Sequence, residues 1–179
     1  HLLTAAGLSS TVVQSTTGVV VSGSTDNVWG YMKISPDGKK LGISHALLKV
    51  ELMDFDTNSG IVSNPVTLFN DISSYGLEFS TDSQKLYISV EGVAPYKIIQ
   101  YDLSSTNIAA SAQLIYNGPI NPTALQLAPD GKIYVGEYGR AKLGTISNPN
   151  SSGPACNLQM DAIDLAGRQC RFGLPPFVA

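Results

Sequence analysis

Charge is scarce in this sequence. Asp, Glu, Lys and Arg together make up 14% of its 179 residues, against roughly 25% in ordinary soluble domains. The net charge is −3 and Lys and Arg form no cluster, which excludes a nucleic-acid surface, because such a surface needs dense cationic contacts to phosphate. Long apolar runs are missing too. None approaches the roughly 18 residues of a membrane-spanning helix, so the chain is expected not to span a membrane. No secretory leader is visible. Histidine is limited to His1 and His45, which leaves few imidazole bases for hydrolytic chemistry. There is no GxSxG elbow, no phosphate loop and no dinucleotide fingerprint.

What is abundant is apolar surface and turn chemistry. Hydrophobic residues make up 43% of the chain, which also holds 17 Gly and 10 Pro. Low charge combined with many turn formers suits a β-rich protein better than a helical one.

The main signal is an internal repeat. Ile34 to Ser44 (ISPDGKKLGIS), Phe79 to Ser89 (FSTDSQKLYIS) and Leu127 to Gly136 (LAPDGKIYVG) align, the last one residue shorter. Their turn aspartates, Asp37, Asp82 and Asp130, are spaced by 45 and 48 residues, close to the roughly 40–50 of a propeller blade. Apolar residues alternate before each turn (Met32 and Ile34, Leu77 and Phe79, Leu125 and Leu127). They alternate after it as well (Leu41 and Ile43, Leu86 and Ile88, Ile133 and Val135). Period two marks half-buried strands. Pro36-Asp37-Gly38 and Pro129-Asp130-Gly131 supply a preset φ, a side-chain acceptor and a residue tolerant of positive φ. Ser83 stands in place of the glycine in the second copy, so a different turn type is expected there.

Each hairpin is followed by a third strand, at 50–55, 97–101 and 143–146, and a fourth, at 66–69, 113–116 and 158–165. Four antiparallel strands per repeat make a β-propeller blade. The expected organisation is a single all-β propeller segment. Residues 1–24 form outer strands of a preceding blade, with two strands expected within 3–22. Blades follow at 25–70, 71–117 and 118–172, and 173–179 begins a following blade, with its strand over 174–178. Three blades do not close a ring of the usual four to eight. The start at His1 and the incomplete repeats at both ends predict a piece of a longer polypeptide. The remaining blades are expected in the same polypeptide or in another copy, or the two ends combine into a fourth blade.

The ordered motifs YMKISPDGKKLGIS, MDFDTNSGIVSN, YGLEFSTDSQKLYIS, IIQYDLSS and LQLAPDGKIYV resemble YVTN/WD40-like propellers. More narrowly, with the tail GRQCRFGLPPFV, the chain is similar to the propeller region of large surface proteins of gliding bacteria that use the type IX secretion system. The resemblance implies export and a secreted or cell-surface location. It supplies no catalytic residues.

Propellers bind ligands mainly at one rim of the central channel. The loops after the second strands carry His45, then Glu91 and Tyr96, then Glu137, Tyr138 and Arg140. The loops between blades carry Asp26, Asn27 and Trp29, then Asn70, Asp71 and Tyr75, then Asn117 and Asn121. The topology predicts that these residues converge on one face. A binding surface is expected from Trp29, His45, Glu91, Tyr96, Asn121, Glu137, Tyr138 and Arg140, with aromatic anchors carrying the energy. The alternative for each is an ordinary solvated or inter-blade packing residue.

Glu91, Glu137 and Asn121 are the right types for a hard cation, but no compact ligand motif exists, and neither a metal nor any other cofactor is expected. Cys156 and Cys170 are the only cysteines. In an exported protein an even count predicts a disulfide between them, the alternative being two free or buried thiols. The leading functional expectation is a non-catalytic interaction module. It acts in adhesion or as cargo of a secretion system, with a protein or glycan, or the secretion machinery, as partner. The alternatives are a lactonase-like propeller hydrolase with a channel metal and a rigid spacer in a large surface protein.

Overall fold

The period-two segments fold into three four-stranded antiparallel sheets. The structure is a computed structural model that describes residues 3–23, 29–70 and 73–175. The first sheet contains β3 (Met32–Ile34), β4 (Lys40–His45), β5 (Lys49–Phe55) and β6 (Val62–Phe69). The second contains β7 (Ser74–Phe79), β8 (Lys85–Val90), β9 (Tyr96–Asp102) and β10 (Gln113–Gly118). The third contains β11 (Pro122–Leu127), β12 (Ile133–Glu137), β13 (Lys142–Ile146) and β14 (Leu158–Asp164). Strands pair in sequence order within each sheet, as in propeller blades. The three sheets stop short of a closed ring.

The hairpin turns differ less than the sequence suggests. Asp37 and Asp82 each hold the loop by accepting a hydrogen bond from the hydroxyl two residues before (Ser35 and Ser80, both 2.6 Å). They also accept one from the backbone N–H two residues on (3.1 and 3.0 Å). Ser83 adopts φ 60°, beside 72° for Gly38 and 78° for Gly131. The second turn therefore has the same left-handed residue as the other two, contrary to the expectation from its missing glycine. What compensates is an inter-blade contact, since Ser83 Oγ accepts the N–H of Asp37 at 3.0 Å.

The fourth strand of the first sheet begins four residues earlier than its sequence pattern indicates, at Val62. Pro65 masks it. A proline is tolerated because β6 is an edge strand, with no further strand to receive an N–H. Asn64, at φ 51°, bridges back to Asp54 through Nδ2 at 2.8 Å.

The two cores lie between the sheets. Val50, Leu52 and Leu68 of the first sheet pack on Leu77, Phe79, Leu86 and Ile88 of the second. Tyr87 and Ile98, pointing the other way, pack on Leu125, Ile133, Val135 and Ile146 of the third. The second sheet is thus covered on both faces, as the uninterrupted burial of β8 shows. The sheets converge at β7 and β11, where Gly76 lies so close to the Thr123 carbonyl that a Cβ would collide with it.

The N-terminal region departs from expectation. Within 3–22 the strands are only β1 (Leu3–Thr4) and β2 (Gly7–Leu8), a hairpin paired with itself, and they add no outer strand to a sheet. The Ser- and Thr-rich stretch that follows lacks strand alternation. It is held against the first sheet by side chains instead: Val62 N–H donates to Ser15 Oγ (2.9 Å), and Val19 N–H donates to Glu51 Oε2 (2.8 Å). At the other end, 168–175 contains no strand. It turns back beside β11, where Ala124 N–H donates to the Phe172 carbonyl (3.1 Å). His1, Asp26, Asn27, Asp71 and the 176–178 part of the expected last strand lie outside the described residues.

Candidate functional site

The repeat places three equivalent residues, those preceding Ile34, Phe79 and Leu127, on the three innermost strands. Lys33 Nζ donates to Glu78 Oε2 (2.9 Å) and to Gln126 Oε1 (2.8 Å). Glu78 also accepts the N–H groups of Phe79 and Leu127. Glu78 and Gln126 are buried, so this network ties all three blades together at the channel. Sequence reasoning missed it. Alignment of the repeats was the available signal, because Lys, Glu and Gln at one register position are complementary.

At one end of the inner strands lies a cleft of about 820 Å³, within the range of roughly 300–1,000 Å³ usual for ligand sites. Its wall is built from three places. Trp29 and Gly30 precede β3. Ala46, Leu47, Glu91 and Gly92 come from the loops after β4 and β8. Ser73 and Asn121 belong to the passages into the next blade, and Tyr75 lies near the start of β7. This is the convergence of second-strand loops and inter-blade loops that the topology implies. Phe172, from the returning tail, completes the wall. It was not foreseen, because only tertiary folding brings residue 172 back to the channel. It joins an aromatic chain: Tyr31 to Tyr75 (centroids 5.4 Å apart), Tyr75 to Phe172 (5.5 Å) and Phe172 to Tyr138 (4.8 Å). Trp29 is 59% exposed.

Two acceptors of the cleft have no partner among the described residues. Glu91 is half-buried, and burial alone pushes its carboxyl above the ordinary value. Its backbone N–H is used, donating to the Ser73 carbonyl at 2.7 Å. Its carboxylate makes no ion pair or hydrogen bond with the described residues. At the wall, Asn121 Oδ1 is enclosed and accepts no hydrogen bond. Among the described residues of the lining there is no Lys or Arg.

The other expected residues go elsewhere. His45 lies in a neighbouring depression with Val21, Tyr31 and Met32. Its Nε2 is 3.9 Å from Glu51, and burial lowers its pKa, which disfavours the charged ring. Tyr96 opens β9 opposite Gly118 and does not line the cleft. Glu137 is fully buried. Its Oε1 accepts the Asp161 N–H at 2.6 Å, and Arg140 Nε stands 3.3 Å from Oε2. Arg140 also binds Asp161 through Nε at 3.0 Å, so both residues brace the third sheet. Tyr138 reaches the cleft only through Phe172, and Arg171 lies over its ring.

A cation site from Glu91, Glu137 and Asn121 is therefore not assembled, because Glu137 stays outside the cleft. Among the described residues no three His, Cys, Asp or Glu side chains gather as metal ligands. The expected disulfide is not formed either, and both cysteines are buried free thiols. Cys156 packs in the core of the second and third sheets, near Tyr87 and Ile146. Cys170 lies beside Gly136 and Thr123, at the opposite end of β12. The lengths of β12 and β13 separate them.

No family model matches the chain, and no curated protein matches it. Solved structures do, and three of them at low identity are these. A protein of Lactobacillus plantarum is 17% identical with a TM-score of 0.53, covering 80% of this chain and 42% of its own. Dihydro-heme d1 dehydrogenase NirN is 18% identical with a TM-score of 0.52, covering 73% and 27%. A candidate 6-phosphogluconolactonase from Bacteroides uniformis is 17% identical with a TM-score of 0.51, covering 76% and 40%. The chain spans less than half the length of each. At such identity the likeness carries the fold and nothing of their chemistry: this chain is an all-β segment of a β-propeller.

Proposed function

We propose that this chain is a non-catalytic binding module, presented on a secreted or cell-surface protein as its sequence resemblance implies. The observation that carries the reading is the cleft itself, where Trp29, Tyr75 and Phe172 offer aromatic surface beside a few polar groups. Aromatic anchors in a concave site are the usual source of binding energy. The described residues of the lining bring no nucleophile and base together: they include no His, Cys or Lys, and Glu91 is the only carboxyl among them. The lactonase-like alternative would have to act through Glu91 and Asn121 without Glu137.

The test is to screen the 179-residue chain against immobilised glycans and peptides, beside a Trp29→Ala/Tyr75→Ala variant of equal thermal stability. Binding that falls at least about tenfold in the variant supports the module. Unchanged binding removes the cleft from consideration. Turnover of lactones that is lost in Glu91→Gln would replace the binding reading by the enzymatic one.

A further inference from the structure

We infer that the cleft takes an organic ammonium group, such as a lysine side chain or a free alkylamine. The inference rests on the binding reading above and names the chemistry of the occupant. Three observations lead to it. First, two acceptors of the cleft have no hydrogen-bond partner among the described residues: the Glu91 carboxylate, and Asn121 Oδ1 enclosed in the wall. Second, the described residues of the lining supply no cation to neutralise Glu91. Most other carboxylates of the described residues have one nearby, as Asp54 has Lys40, Glu78 has Lys33 and Asp102 has Lys85. Third, Trp29, Tyr75 and Phe172 stand in the apolar part of the wall beside Ala46 and Leu47, and Trp, Tyr and Phe faces attract cations.

A half-buried carboxylate that no described residue pairs with a cation or a donor is costly, and a ligand that brings both removes the cost. An ammonium brings one positive charge and up to three N–H donors, while its alkyl stem covers aromatic surface. Neutral sugars would supply donors but leave the charge of Glu91 unmatched. Anionic ligands would be repelled by it.

Trp29 is the only tryptophan in the chain and lines the cleft, so its fluorescence reports occupancy. The chain would be titrated with n-butylammonium, its neutral counterpart n-butanol, Nα-acetyl-lysine methylamide and neutral oligosaccharides. Saturable quenching by n-butylammonium on the order of millimolar, at least about tenfold weaker for n-butanol and equally weakened by Glu91→Gln, is expected. Tighter binding of the lysine derivative than of n-butylammonium would assign the ammonium to a protein partner. Equal binding would assign it to a free amine. Saturation by a neutral oligosaccharide, with none by either amine, would overturn the ammonium and leave the binding module standing. No response to any probe, together with unchanged binding in the double-alanine screen, would overturn both. Glu91→Gln is near-isosteric, and a thermal melt confirms that it folds.

Discussion

The first and second sheets carry the same pattern at the same repeat positions but treat it differently. Leu77 and Phe79 on β7 are 0% exposed, whereas their counterparts Met32 and Ile34 on β3 are 66% and 50% exposed. Nothing in the local sequence separates these pairs, since all four are apolar and alternate before an Asp turn. The difference is that the second sheet has a neighbour on each face, and this face of the first sheet has only a strand-free segment near Ser15 to Val21. Burial is thus a property of the stack, and a repeat position inherits it from whichever sheet stands alongside.

The sharpest way to probe this contrast is to truncate both members of one pair. Phe79→Ala should cost about 3–5 kcal/mol in chemical denaturation, through lost transfer energy and a cavity. Ile34→Ala, at the equivalent position, should cost under about 1 kcal/mol. Equal costs would mean that the first sheet has a cover on this face in solution.

The network linking the inner strands comes next. Lys33→Met leaves Glu78 buried without its cation and should cost roughly 2–3 kcal/mol. Adding Glu78→Gln should restore part of that loss, as a double-mutant cycle would show.

A smaller contrast separates two equivalent cross-strand pairs. Lys85 faces Asp102 with 9% of its side chain exposed, and Lys40 faces Asp54 with 32% exposed. Lys85→Ala should therefore cost more than Lys40→Ala, which as a surface pair should stay within about 1 kcal/mol.

The smallest effect concerns Glu91. Burial raises its pKa, so the folded chain holds this proton more tightly than the unfolded one. The resulting stability is present at acid pH and is lost as pH rises from the unfolded value through the raised folded value. Glu91→Gln should raise Tm by about 1 °C at neutral pH, a gain limited by solvent screening of a half-exposed group. It should change nothing at about pH 3.5, below the ordinary glutamate value. A lower Tm at neutral pH would show that the carboxylate is held by a donor.

The sequence by itself determined the strands and turns of this protein. A period of two and the Ser-x-Asp or Pro-Asp-Gly turns act within a few residues, so they were legible without knowing what lies opposite. Even there, Pro65 hid the start of β6, because only an edge position permits a proline. The placing of Trp29, Tyr75, Glu91 and Asn121 on one rim was legible too, since it follows from strand order alone. What only the tertiary structure decided is the fate of each side chain. Glu91 follows the second strand of its blade and Glu137 ends that of the next, yet one has no ion pair with the described residues and the other is bound by Arg140 and Asp161. Cys156 and Cys170 are near in sequence and lie at opposite ends of β12. Phe172 enters the wall from the far end of the chain. Each outcome depends on contacts between residues far apart in sequence. Such contacts are set by how sheets stack and where the tail returns, and no local pattern encodes them.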